Sequence, residues 1–419
     1  MIVLKNWLKK SAMKGLRFSL GVALVSLCIP TALAATKSIA PIPMVLIANL
    51  PDESQVSGAL IKAKTIYVFG NQQTAPNVHG YIKAIGESGS PLWSLPLESG
   101  INDIATAATF DARGHLWVVG TSGPIGENAQ TTVSQAVSVL NPDSVVLDPF
   151  TPIRADLTNL ILWEIAQNGA LVSTFRTELA RSVIAQGITA TADGFAVVGL
   201  VASTFGSAGF LQHVDSQGNF GVLHVIGAKD TEFSSVVKTS SGFLLSGSST
   251  EKLSGKPLLG VRDALAVSVT STGKILSVLR STNSATVRTW RSSTPAFFLG
   301  GDALISGKNS AVVTKFSAKM APTWTARFSS PGPAFVVDAP LTRFGVFASD
   351  APIVGVGSWK PTRASVLALG FDAKGQLQRA YSAKALSAPI AIGYTTSLGL
   401  VVVGKTGEKG VSIFHALTR

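Results

Sequence analysis

Short apolar runs recur along this chain with a steady beat, and each ends in glycine. They read IYVFG from Ile66, LWVVG from Leu116, FAVVG from Phe195, FLLSG from Phe243, FFLGG from Phe297, IVGVG from Ile353 and LVVVG from Leu400. Their last glycines are Gly70, Gly120, Gly199, Gly247, Gly301, Gly357 and Gly404, at intervals of 50, 79, 48, 54, 56 and 47 residues. A second element keeps phase with the first: an apolar strand, a short turn, another strand. Examples are ALAVSVTSTGKILSVLR from Ala264 and VLALGFDAKGQLQRAYS from Val366. ALAVSV and AVVTKF alternate with period two, as strands with two different faces do. The turns ESGS, QNGA, SQGN, STGK and AKGQ offer glycine where a hairpin needs positive φ. No helical period is sustained after residue 35.

Each repeat therefore holds four short strands, and seven such units predict an all-β, seven-bladed β-propeller. The two ends of the chain fit a ring better than a solenoid, which needs atypical capping repeats. VSIFHAL (411–417) is a third strand without its partner, and PIPMVLIANL (41–50) is an extra strand ahead of the first complete unit. Together they would finish the last blade and leave no open sheet edge. In this reading each VVG is the second strand of a blade, and its glycine begins the exit loop. The one long interval comes from residues 121–157, a loop insertion after a second strand.

DARGHLWVVG together with DALAVSVTSTGKIL resembles the bacterial secreted β-propeller repeats known as SBBP, and more loosely the YVTN and delta-sixty repeats. The resemblance spans residues 41–419. It implies the propeller fold and a secreted life, and no activity. IKAIGESGSPLWSLPL also resembles a quinoprotein-type repeat, with Trp93 four residues after Gly89. Trp324 stands in the same place after Met320, but the other four copies lack the tryptophan, a departure from the quinoprotein pattern.

Residues 1–35 read as a signal peptide rather than as part of the fold. Lys5, Lys9, Lys10, Lys14 and Arg17 precede the apolar run FSLGVALVSLCIPTALA, which ends in the small-x-small pattern Ala32, Leu33, Ala34. The expected location is outside the cytoplasm, with residues 36–419 forming the propeller. Cys28 is the only cysteine, so a processed chain has no disulfide or cysteine-based site. No later run is long and apolar enough to span a bilayer.

Chemistry is sparse. His79, His115, His213, His224 and His415 show no metal-ligand spacing, and no H-E-x-x-H, P-loop or G-x-S-x-G motif occurs. Asp111, Asp215 and Asp372 are read as turn residues whose carboxylates accept backbone N–H bonds. Among the inner strands, Asp103 and Asp338 are the only carboxylates identified. We therefore expect no catalytic residues, no cofactor and no metal. The alternative is a propeller enzyme, either a carbohydrate-active hydrolase or lyase or a quinoprotein-like oxidoreductase.

Charge is more informative. From residue 36 to 251 there are 10 basic and 17 acidic residues; from 252 to 419 there are 20 and 6. Lys252, Lys256, Arg262, Lys308, Lys360, Arg363, Lys405 and Lys409 fall between second and third strands, whose loops emerge on one face. Trp359 beside them is a candidate stacking platform. A basic arc of this kind attracts polyanions. The expected partner is an anionic polysaccharide or cell-wall polymer, or an envelope protein, bound by a monomer; nucleic acid is not expected.

Overall fold

The computed structural model describes residues 38–51, 55–74, 77–124, 155–407 and 410–417. The leader, most of the 121–157 insertion and Lys409 lie outside the described residues. The rest forms seven antiparallel blades of four strands each around a ring. The innermost strands are Val56–Lys62, Ile104–Phe110, Val183–Ala190, Thr231–Thr239, Thr286–Ser293, Phe335–Ala339 and Ala388–Thr395. Each lies beside the next, and the last returns to the first. Among the described residues no helix is long and apolar enough to cross a membrane.

Ring closure follows the expected pairing. Val45–Leu50 lies antiparallel on Gly410–Ala416 and completes blade 7. The closing segment also does something the sequence did not suggest. Ile42–Pro43 adds a parallel fifth strand to the outer edge of blade 6, along Leu377–Ala383. Ile39 bridges to Val356 in a loop of that blade. The N-terminal segment thus straps two blades rather than one.

The recurring glycine has a different purpose from the one expected. It does not open the exit loop; the second strands run two to four residues past it, as in Thr65–Thr74, Leu116–Ser122 and Gly194–Ser203. In six blades it pairs with the residue just before a β-bulge of the innermost strand: Gly70 with Val56, Gly120 with Ala105, Gly199 with Ala185, Gly247 with Phe233, Gly301 with Trp290 and Gly404 with Pro389. The bulge drives an inner-strand carbonyl toward the glycine. A Cβ on Gly301 would sit 1.9 Å from the Thr289 oxygen, and one on Gly199 2.0 Å from that of Ile184. Blade 6 breaks the rule. Its second strand is Thr342–Ser349, and Gly357 lies in the following loop. Phe347 takes the glycine's place, and the inner strand is only Phe335–Ala339, preceded by Pro333.

Blades dock through their hairpin turns. Gly169 and Gly375, both at positive φ, lie against the rings of Trp93 and Trp324 from the preceding blade, where a Cβ would come within 2.5 and 2.6 Å. Gly218 meets Phe175 and Gly273 meets His224 in the same way. The two tryptophans of the quinoprotein-like repeats are therefore blade-docking residues. Middle strands such as Leu116–Ser122 and Asn159–Ile165 are buried along their whole length. Their side chains interdigitate with the next blade: Trp117 and Leu162 of blade 2 share a cluster with Val183, Phe195 and Phe210 of blade 3.

Candidate binding face

An antiparallel four-stranded blade sends its first–second and third–fourth turns to one end. Its second–third loop and its link to the next blade leave at the other. We call these ends the turn face and the loop face. The sequence-predicted residues that are described belong to loop-face connections or the strand ends beside them, in four consecutive blades. Lys252, Lys256 and Arg262 lie between Gly242–Ser249 and Asp263–Val269 of blade 4. Lys308 opens Lys308–Phe316 of blade 5; Trp359, Lys360 and Arg363 precede Ser365–Phe371 of blade 6; Lys405 is near the end of Gly399–Thr406 of blade 7.

Lys252, Lys256, Lys308, Lys360, Arg363 and Lys405 are exposed. None makes an ion pair with a described carboxylate. Two of the predicted residues differ from expectation. Trp359 is only 3% exposed and packs with Ile353, Val356 and Phe371, so its ring offers no open face for stacking. Arg262 is half-buried. Its guanidinium donates to Ser248 Oγ at 3.1 Å, and its backbone bonds to Thr286 and Arg288 of blade 5, which makes it a brace between blades.

The basic half also contains arginines that serve the fold. Arg280 pairs with Asp263 at 3.1 Å, both buried, while Asp263 also accepts the N–H groups of Leu259 and Gly260. Arg288 is buried between blades 4 and 5, donating to Ser281 Oγ and Thr314 Oγ1 and lying 4.3 Å from the Trp290 ring centre. Burial, and next the nearby Arg327, pull its guanidinium down to about 10.

The acids of this half are engaged as well. Arg291 sits at the bulge of the blade 5 inner strand and contacts two carboxylates, Glu232 of blade 4 at 3.8 Å and Asp302 at 3.4 Å. Burial raises the Asp302 carboxyl above its usual range, against the pull of Arg291. Glu232 also accepts Ser248 Oγ–H. This set forms an ion bridge between blades. Glu232 belongs to the inner strand Thr231–Thr239 and corrects the sequence reading that only Asp103 and Asp338 do so. Asp103 immediately precedes its strand, buried and capped by Ser99 and Gly100. Asp338 lies 3.7 Å from Arg343.

A cavity where six of the innermost strands converge is lined by small, apolar and hydroxyl-bearing residues. Gly58, Thr106, Ala107, Ser235, Ser292 and Ile390 are among its lining residues.

On the turn face the three aspartates behave as read. Asp111 accepts His115 N–H, Asp215 accepts Gln217 and Asn219 N–H, and Asp372 accepts Lys374 and Gln376 N–H. The Asp111 turn gathers more than expected. His115 Nδ1 lies 2.7 Å from Glu164 Oε1, and the Arg113 guanidinium lies 2.9 Å from Asp111 and 2.7 Å from Glu164. Three candidate metal-ligand atoms thus lie close together. Arg113 already supplies the positive charge for both carboxylates, and Trp117 Nε1 donates to Asp111. A cation there would have to displace that guanidinium.

No protein-family model matches this chain, and no curated protein matches it. Solved structures are similar in fold. A Chaetomium thermophilum Sqt1 structure aligns at 12% identity over 90% of this chain and 100% of its own, with a TM-score of 0.47. The WD40 domain of Toxoplasma gondii coronin aligns at 10% over 91% and 89%, at 0.48. The polysaccharide lyase Uly1 aligns at 8% over 88% and 91%, at 0.46.

Proposed function

We propose that this chain is an exported, non-catalytic binding propeller that holds an anionic polymer on its loop face. The polymer would be an acidic polysaccharide or a cell-wall polymer outside the cytoplasm. Export rests on the leader-like residues 1–35. The binding reading rests on one observation. Lys252, Lys256, Lys308, Lys360, Arg363 and Lys405 project from four consecutive blades with no described carboxylate partner. Most described acids of the same half are occupied elsewhere: Asp263 by Arg280, Asp302 by Arg291, Asp338 by Arg343, and Asp372 by its own turn on the other face, while Asp350 on the loop face accepts Ser329 Oγ–H and pairs with none of these cations. An unneutralised arc on a rigid ring favours a long, repeating anion that can touch several blades at once.

The test is retention of the purified protein on a panel of acidic polymers across a salt series. Retention should fall steeply with salt and disappear when Lys252, Lys256, Lys308, Lys360, Arg363 and Lys405 are replaced by Ser. Absence of retention on every polyanion would contradict the reading and turn attention to an envelope protein as partner. The competing reading, a carbohydrate-active propeller, has Glu232 and Asp302 to offer. Depolymerisation of a retained polymer that is lost in Glu232→Gln would establish it.

A further inference from the structure

One place on the loop face is concave as well as basic. A cavity of about 270 Å³ opens in blade 6, lined by Trp359, Lys360, Thr362, Arg363, Ser365 and Lys384 among others. It lies where two loop-face connections meet. Lys360 and Arg363 come from the second–third loop, and Lys384 from the link between Leu377–Ala383 and the next blade. Lys384 is more than twenty residues away in sequence, and no reading of the loop alone could include it.

The two connections are tied together. Ser365 is 4% exposed, and its Oγ is 3.1 Å from the Arg363 carbonyl oxygen and 3.5 Å from that of Lys384. Below, Val366 N–H donates to Leu386 O. The backbone that carries the cations is therefore held in place before any ligand arrives. The three cations share the cavity with no carboxylate among its lining residues. They also make no ion pair with any described residue. Like charges gathered without a counter-ion repel one another, and an anion relieves that cost. Trp359 adds an unused donor: its Nε1 is buried and has no hydrogen-bond partner among the described residues.

We infer that this cavity is an oxyanion subsite that takes one sulfate or phosphate ester group of the bound polymer. Three cations reaching one cavity from two connections suit a tetrahedral group with three free oxygens, each strongly accepting. A planar carboxylate has only two oxygens to share among them. Arg363 supplies a fork that can hold two oxygens at once, and the lysines add point charge. The inference rests on the polyanion reading of the loop face, and it adds the position and the chemistry of one contact.

The experiment is a calorimetric titration of the purified protein with inorganic phosphate, inorganic sulfate and acetate at constant ionic strength. The expected result is saturable one-site binding of a tetrahedral anion, with acetate weaker by about tenfold or more. Of the two tetrahedral probes, the tighter identifies the ester. Lys384→Ser should weaken that binding about tenfold, and Arg363→Lys should weaken it although the charge is kept. The double variant Lys274→Ser, Lys319→Ser, on the turn face, should leave it unchanged. Both pocket residues are exposed, so melting curves of these variants should overlay the parent. Equal loss in the distant double variant, or no saturable binding of either tetrahedral anion, would overturn the subsite. If polymers are retained while small oxyanions do not saturate, the subsite fails and the polymer reading stands. If small oxyanions saturate at the pocket while no polymer is retained, the reverse holds.

Discussion

The two ends of this ring use their charged residues in opposite ways. On the turn face, several cations stand next to carboxylates: Lys64 is 2.9 Å from Glu87, Arg113 bridges Asp111 and Glu164, and the Asp372 carboxyl, held below its usual range chiefly by the Gln376 N–H, also feels the charge of Lys374. The turns are short, and their acids bind their own backbone. On the loop face, the projecting cations of blades 4 to 7 have no such partners. The turn face carries information about folding, where chain reversal and blade docking are decided. The loop face shares that work through the Arg262 brace and the buried Asp263–Arg280 pair, but its projecting lysines and Arg363 take no part in it, so their charge is available to something outside the molecule.

The sharpest way to break this contrast is to damage the fold without touching the loop-face charges. Gly301→Ala should do so most severely. Its new Cβ would collide with the Thr289 carbonyl, which belongs to backbone and cannot rotate away. We expect a loss of about 3 kcal/mol in a urea unfolding series. A loss below about 1 kcal/mol would mean that the bulge relaxes easily and does not require glycine.

Asp263→Ala comes next. It strands the buried Arg280 guanidinium and frees the N–H groups of Leu259 and Gly260. Removing one partner of a buried pair costs about 3 kcal/mol, and the same unfolding series reads it. An effect near zero would show that the pair is hydrated rather than sealed.

Asp111→Ala should cost less, about 1–2 kcal/mol, because it removes acceptors for His115 N–H and Trp117 Nε1 at a half-exposed turn. Polymer retention should not change. A change in retention would erase the distinction between the faces.

The smallest effect is in pH. Burial, and next the charge of His224, hold the His213 imidazole below its ordinary value of 6.5. The unfolded chain therefore takes up a proton before the folded chain does. The stability tied to neutral His213 is complete above pH 6.5 and is lost as pH falls below it. His213→Gln should flatten that part of a melting-temperature profile between pH 7 and 5. An unchanged slope would assign the acid sensitivity elsewhere.

The fold was legible because strand alternation and hairpin glycines are local signals. The seven-fold period showed in LWVVG and its relatives, and the joint of the two termini showed in their unmatched strands. The role of the recurring glycine was not legible. It depends on a bulge in another strand, and nothing in the inner-strand sequences, such as IATAATF and VIAQGITA, marks where that bulge falls. Gly357 illustrates the opposite error: IVGVG has the right letters but lies in a loop, because blade 6 uses Phe347 instead. The site was legible in part. Loop lysines can be placed on a face by counting strands. Burial of Trp359 and the arrival of Lys384 beside Arg363 are long-range events that counting cannot reach.

The most direct measurement compares two charge removals of equal size. Lys252, Lys256, Lys308 and Lys405 are replaced by Ser in one variant, and Lys64, Lys274, Lys319 and Lys374 on the turn face in the other. All eight are exposed, and each variant loses four positive charges. Affinity for a retained acidic polymer is then followed across a salt series. The account predicts that the loop-face variant loses retention and that its salt dependence collapses, while the turn-face variant keeps both. Equal losses in the two variants would mean that net charge alone governs binding and that neither face is a site.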